Sequence, residues 1–276
     1  ITGKKNIPQS SRILEKSFIV RGYRFRSWEQ FRLPWEIKKS GISLFHAPAN
    51  SAPLIQSCPT VVTLHDTISF ESDFGDNKFY HQTILPLAFK KAKKIITISN
   101  NSKKDILRLL KIPEERVKVI YHGISKVFHK IGDSDYLRTT IEKFGISGEY
   151  IYSLGAVDER KNTAMLIDAF AILKKEKKIN YQLVISGIQE NGMERYVEKI
   201  DNLGLKNDVI LIGYVSEEEL IALYNQAKVF AYLSLYEGFG FPVLESMACG
   251  TPVVASNISS IPELVGSAGL LVNPRD

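Results

Sequence analysis

Three short stretches carry side chains whose types and spacing suit phosphate and sugar chemistry. The first, Gly155-Ala156-Val157-Asp158-Glu159-Arg160-Lys161-Asn162, follows a strand-like run at Tyr150–Leu154 and precedes a helical pattern. It sets a guanidinium and an ammonium beside a helix N-terminus, where unpaired backbone N–H groups favour anions. Arg160 offers a bidentate fork and Lys161 a point charge, a pairing suited to a diphosphate. The same residues also fit a solvated loop in which Asn162 caps the helix. The second stretch, Ser234-Leu235-Tyr236-Glu237-Gly238-Phe239-Gly240-Phe241-Pro242-Val243-Leu244-Glu245, follows Val229–Leu233. Gly238 and Gly240 let backbone approach a ligand, and Pro242 suits a first helical turn. Glu245 falls within that turn or close to it and leans towards the helix N-terminus, so it and Glu237 face one crevice. Two carboxylates there accept hydrogen bonds from sugar hydroxyls; in the alternative, Glu237 is solvated and Glu245 caps the helix dipole. The third is His65-Asp66, at the end of Thr60–His65. It reads as a substrate donor, a general base or a structural pair. His46, His81, His122 and His129 show no metal-ligand spacing, so no zinc site is expected.

Elements able to position these residues alternate along the chain. Strand candidates are Ile42–His46, Thr60–His65, Lys94–Ile98 and Val117–Tyr121, then Tyr150–Leu154, Tyr181–Ser186, Val209–Ile212, Val229–Leu233, Pro252–Ala255 and Gly269–Val272. Helical periodicity falls between them at Phe79–Lys91, Ser102–Leu110, Thr163–Lys175, Met193–Leu203, Glu217–Gln226 and Pro242–Ala248. Leu166, Ile167, Phe170 and Leu173 form an apolar stripe that faces a sheet. Alternation of this kind predicts an α/β chain of parallel sheets with crossover helices. The boundaries are a partial first Rossmann-like domain at 1–130, a polar link at 131–148 and a second Rossmann-like domain at 149–276. Residues 1–40 read as loop and partial helix, so the first domain is expected to be incomplete at its N-terminus. Ligands of such sheets bind beyond the carboxyl ends of the strands. Neither G-x-G-x-x-G nor G-x-x-x-x-G-K-[ST] follows a strand, which counts against a dinucleotide dehydrogenase or a P-loop enzyme.

Composition narrows the class further. The 276 residues are 44% hydrophobic and 24% charged, the range of a soluble globular chain and far from a disordered or fibrous one. No apolar run approaches the roughly 20 residues of a membrane span. Two cysteines, Cys58 and Cys249, suit a reducing compartment. The opening Ile1-Thr2-Gly3-Lys4-Lys5-Asn6 is unlike a secretory signal, and without a starting methionine the chain reads as a fragment. The net charge of +6 hides an asymmetry: residues 1–130 hold 23 basic against 10 acidic side chains, and the remainder 13 against 20. Lysine-rich stretches such as Lys90-Lys91-Ala92-Lys93-Lys94 read either as solvated helix faces or as a surface for an anionic membrane or phosphorylated substrate. No nucleic-acid motif accompanies the charge.

Together these residues resemble the retaining, nucleotide-sugar-dependent glycosyltransferases of family 4 (group 1), which have the GT-B fold of two facing Rossmann-like domains. The resemblance rests on Arg160-Lys161-Asn162, on Glu237 to Glu245 in the wording E-G-F-G-F-P-V-L-E, and on Ala248-Cys249-Gly250-Thr251-Pro252-Val253-Val254-Ala255. Pro262-Glu263-Leu264-Val265 and Gly269-Leu270-Leu271-Val272-Asn273-Pro274 extend it to the end of the chain. The resemblance implies that Arg160 and Lys161, next to Gly155, hold the donor diphosphate. It also implies that Glu245 binds the nucleotide ribose and Glu237 the hexose hydroxyls, with the backbone of Gly238, Phe239 and Gly240 along hexose and phosphate. Tyr214 and Val215 then sit at the base, and His65 donates to the donor sugar near its reacting carbon. Ser99 stands where the family often has a serine. Two parts of the family pattern are not found: a glycine-rich loop near the N-terminus and a C-terminal helix that crosses back to the first domain.

The implied activity is hexosyl transfer with retention, the leaving phosphate taking the acceptor's proton and Glu237 not serving as a nucleophile. Neither a metal nor another cofactor is implied, and no Asp-x-Asp stands at a strand end. The wording is most like the mannosyltransferase branch, which makes GDP-mannose the expected donor and a glycan or lipid-linked acceptor of cell-surface polysaccharide or lipopolysaccharide synthesis the expected partner. The expected location is cytoplasmic, peripheral on the inner face of a membrane. Two other readings are a non-catalytic relative that binds nucleotide sugar and a GT-B epimerase or phosphorylase; for the phosphorylase no Schiff-base lysine is evident.

Overall fold

The computed structural model describes residues 25–71, 78–132, 134–177 and 179–276. Residues 1–24, on which the N-terminal expectations partly fall, and Asp133 of the expected link lie outside the described residues. Among the described residues ten strands form where β-branched runs predicted them, most trimmed at their ends. β1 (Phe45–Ala47), β2 (Thr60–Thr63), β3 (Lys94–Thr97) and β4 (Val117–Val119) make one parallel sheet in that order. β5 (Tyr150–Leu154), β6 (Gln182–Ser186), β7 (Val209–Leu211), β8 (Val229–Tyr232), β9 (Val253–Ser256) and β10 (Leu270–Val272) make a second, all-parallel sheet. Its order is β10-β9-β8-β5-β6-β7. The winding therefore reverses between β5 and β8, and the loops leaving those two strands flank the crevice that such a reversal opens.

Among the described residues the α-helices of five residues or more are α1 (Leu33–Ser40), α2 (Leu85–Lys91), α3 (Asn100–Leu110), α4 (Asp135–Glu142), α5 (Thr163–Lys177), α6 (Glu190–Asn202), α7 (Glu217–Gln226), α8 (Phe241–Ala248) and α9 (Ile261–Val265). The stripe on α5 is buried as expected at Leu166, Ile167 and Phe170, with Leu173 only partly covered. Phe79–Lys91 is not one regular helix. A wide π-turn, Tyr80–Ile84, precedes α2, and the Leu85 N–H donates to the Tyr80 carbonyl. Pro86 follows, with no N–H to donate and a ring that crowds the preceding turn, which the wider turn accommodates. The same device precedes Pro34, where Trp28–Arg32 is a π-turn and the Leu33 N–H donates to the Trp28 carbonyl.

The expected link at 131–148 is corrected in one respect: residues 135–142 are helix α4. Leu137, Ile141 and the following Ile146 are buried in the core of the second sheet with Tyr150, Tyr152, Tyr224 and Phe230. Each such side chain contributes about 1.5–3 kcal/mol on burial, enough to outweigh the turn-forming polar residues around it. Among the described residues no helix is long and apolar enough to cross a membrane.

Candidate active site at the strand-order reversal

The loop after β5 begins with Gly155, whose N–H donates to the Ser186 carbonyl at 2.8 Å. Asp158 then closes a short 3-10 turn over Glu159–Lys161 by accepting from the Arg160 N–H at 2.9 Å. Asn162 does not cap α5 with its side chain. It sits at φ +57°, and its amide donates to the carbonyls of Leu233 at 3.1 Å and Pro274 at 2.8 Å. The Leu235 N–H donates to the Arg160 carbonyl at 2.8 Å. These bonds fasten the loop after β5 to the loop after β8, and Arg160 and Lys161 are thereby aimed at Glu237.

Glu237 is no solvated loop residue, since its side chain is only 12% exposed. Its Oε1 accepts from Lys161 Nζ at 2.7 Å, Ser234 Oγ at 2.7 Å and the Tyr232 hydroxyl at 2.8 Å, and pairs with Arg160 at 3.2 Å. All of these donors converge on one oxygen, and Oε2 receives none of them. Burial by itself would raise this carboxyl. Lys161, Arg160 and the Ser234 hydroxyl outweigh it and hold the group below the ordinary carboxylate range. Arg160 also donates to the Tyr236 carbonyl at 2.6 Å, and Lys161 to the Tyr232 hydroxyl at 2.5 Å. The two cations thus share an internal counter-ion, and the potential they offer an incoming anion is smaller than two free charges would give.

The peptide groups on either side of Glu237 are oriented with equal care. The carbonyls of Glu237, Gly238 and Phe239 all accept from serine hydroxyls. Ser259 and Ser260 bind Glu237, Ser99 and Ser102 bind Gly238, and Ser260 also binds Phe239. The N–H groups of Gly238, Phe239 and Gly240 meet no acceptor among the described residues. Three successive unpaired amides at the mouth of α8 are suited to a negatively charged oxygen. Gly238 owes its small size to the protein itself: a Cβ there would lie 2.8 Å from the Asp66 Cβ, so the loop after β2 packs directly on it. The Phe239 side chain is buried and packs against the rings of Tyr121 and His122.

Glu245 is the fifth residue of α8, one turn beyond the N-terminus, so it does not cap the helix dipole. It accepts from the Tyr224 hydroxyl at 3.1 Å. Burial raises its carboxyl above the ordinary range against that hydrogen bond, with Glu217 adding to the rise. Tyr214 is exposed after β7, and its hydroxyl accepts from Gln189 at 3.1 Å; Val215 packs against the second core. His65 Nε2 bonds the Pro48 carbonyl at 3.1 Å, and its Nδ1 lies 3.3 Å from His122 Nε2. A carbonyl only accepts, so the neutral pair has a single consistent arrangement. His65 carries its proton on Nε2, His122 donates to His65 from Nε2, and Nδ1 of His122 is left as an acceptor. Sequence reasoning passed over His122, Tyr232, Ser234, Ser259 and Ser260. Ser234, three residues before Glu237, is a signal that spacing could have supplied; the others are brought in from separate elements. Among the described residues no group of three His, Cys, Asp or Glu side chains could hold a metal ion.

Residues 138–276 match the family Glycosyl transferases group 1, and residues 9–126 match Glycosyltransferase Family 4. The chain belongs to the group 1 glycosyl transferases. Among its relatives is O-antigen chain mannosyltransferase B of Escherichia coli, 32% identical over 252 residues, an alignment that takes in 89% of this chain and 65% of that protein. O-antigen chain mannosyltransferase RfbU of Salmonella typhimurium is 28% identical, with 98% and 70% covered. The chain thus spans less than two thirds of the first of these relatives, and 28% of the serotype-specific mannosyltransferase WbdA of Escherichia coli. Among solved structures, a glycosyltransferase from Rickettsia africae superposes with a TM-score of 0.70 at 22% identity, covering 89% of this chain and 66% of that one. Anabaena HepE in complex with UDP-glucose also gives 0.70 at 22% identity, with 88% and 67% covered. The two-sheet arrangement is the GT-B fold.

Proposed function

We propose that this chain is the body of a retaining hexosyltransferase that moves mannose from GDP-mannose to a glycan or lipid-linked acceptor in cell-surface polysaccharide synthesis. In this reading the second domain, 149–276, binds the donor and the first, 1–130, receives the acceptor. The observation that carries it is the pairing, at the β5–β8 reversal, of Arg160 and Lys161 with Glu237, directly ahead of Gly238, Phe239 and Gly240, whose N–H groups meet no acceptor among the described residues. Charge develops on the departing phosphate as the glycosidic bond breaks. Donors already in place there stabilise it without reorganisation, usually the largest catalytic contribution. Gly155 lies at the start of the phosphate-facing loop. Glu237, with Oε2 left over, accepts from hexose hydroxyls; Glu245 accepts from the ribose, and Tyr214 and Val215 border the base. The His65–His122 pair faces the sugar from the first domain. The mannose assignment draws on the two O-antigen mannosyltransferases to which the chain is similar.

A panel of GDP, UDP, dTDP and their hexose conjugates, read by thermal unfolding of the full-length protein, tests the donor. A ligand of this site at about 100 times its dissociation constant adds about 2.7 kcal/mol of stability. GDP-mannose is expected to give the largest shift; a larger one from a UDP or dTDP sugar reassigns the donor, and no shift from any of them removes the transferase reading.

In this reading the basic first half supports a peripheral seat on the anionic cytoplasmic face of a membrane. Vesicles containing anionic lipid are expected to retain the protein at low ionic strength and release it as salt shortens the screening length to about 8 Å. Equal retention on neutral vesicles would remove the electrostatic seat.

A further inference from the structure

We propose that Glu263 is a positioning residue that docks the first domain onto the donor loop. It projects from α9 of the second domain, and among the described residues its carboxylate receives hydrogen bonds only from the first. Its Oε1 accepts from the Asn101 N–H at 2.7 Å. Its Oε2 accepts from the Asn100 N–H at 2.8 Å, the Asn100 side-chain amide at 3.1 Å and the Tyr121 hydroxyl at 2.9 Å. Asn100 and Asn101 are the first two residues of α3, whose opening N–H groups have no partner within the helix. A carboxylate supplies both the acceptors and the charge that this end of a helix favours.

What α3 does once docked gives the contact its purpose. Ser99, Ser102 and Asp105 follow one another at three-residue spacing and so share one face. Ser99 and Ser102, both fully buried, donate to the Gly238 carbonyl at 2.9 and 3.1 Å, and Asp105 accepts from the Tyr236 hydroxyl at 2.8 Å. Tyr236 and Gly238 bracket Glu237, and the Tyr236 carbonyl holds Arg160. A displacement of α3 is therefore passed to Glu237 and Arg160 through two directly bonded neighbours. Glu263 itself touches neither, and it sets them through α3.

The test uses Glu263→Gln in the full-length protein, read by hydrogen exchange and steady-state kinetics together. A carboxamide keeps one acceptor and turns an NH₂ against donors. Exchange is expected to quicken severalfold in peptides spanning 99–104 and 234–240, while β5 and β6 stay protected. The kinetic arm rests on the transferase reading: kcat is expected to fall on the order of tenfold or more, the scale of misplaced catalytic groups, with donor KM little changed. Should Glu263→Gln fail to fold, the double variant Asn100→Ala/Tyr121→Phe removes two of its side-chain partners from the other side and is expected to show the same pattern. Unchanged exchange at 99–104, or quickened exchange with wild-type kcat, overturns the proposal. If exchange responds as expected but the wild-type protein transfers no sugar from any donor, the transferase reading fails and the docking stands.

Discussion

Lys161→Ala in the full-length protein is expected to lower glycosyl transfer by about 100-fold or more, the loss that follows removal of one preorganised charge-stabilising donor. Lys161 makes two short contacts, to Glu237 and to the Tyr232 hydroxyl, and both keep the ammonium fixed before the diphosphate arrives. Arg160→Ala is expected to cost at least as much. Its guanidinium also holds the Tyr236 carbonyl, so the donor loop loosens together with the charge. Measuring transfer and nucleotide binding separately divides the two effects. A fall in kcat at nearly constant nucleotide affinity marks stabilisation of the departing phosphate, whereas parallel losses mark ordinary binding. A Lys161→Ala protein within tenfold of wild type would take this residue out of the mechanism.

Glu237→Ala is expected to destabilise the second domain by about 3 kcal/mol, because it leaves the mostly buried Lys161 without a carboxylate and Arg160 with Asp158 alone, at 3.3 Å. Urea unfolding at neutral pH checks the value; a loss below about 1 kcal/mol, typical of an exposed pair, would show that solvent already screens the cluster. The pH dependence follows from the direction of the shift. Glu237 lies below the ordinary value of 4.5 in the folded protein, so its contribution is fully present above that value. It is lost as the pH falls through the lower, folded one. Glu245 has the opposite sense: its raised carboxyl binds a proton more readily when folded, and its contribution fades as the pH rises through that raised value. Acid unfolding of Glu237→Ala is therefore expected to be shallower than that of the wild type.

Much of this was legible in the chain. The strands announced themselves because buried parallel strands read as short β-branched runs, and Tyr150–Leu154 matches its predicted bounds. Helix α7 did the same, and its Ser216–Glu219 capping box marks its start. Helix α4 was missed because Leu137 and Ile141 are too few to stand out among polar neighbours; only α7 and the second core supply the surface that buries them. The broken helix before α2 was missed for a different reason, since the wide turn is a local response to Pro86 within an otherwise helical pattern.

By itself the sequence determined the residues and their order: two cations after one strand, two carboxylates around a glycine pair after another, and the alternation that makes both strands parallel. Local patterns carry that much, because periodicity, capping and glycine act within a few residues of one another. The tertiary structure alone decided that Glu237 pairs with Arg160 and Lys161 rather than standing apart from them, and that Ser99, Ser102 and Glu263 tie the two domains together across the donor loop. Those contacts join residues that are more than seventy positions apart, and they exist only once the reversal of strand order brings β5 beside β8 and the two sheets close on one another.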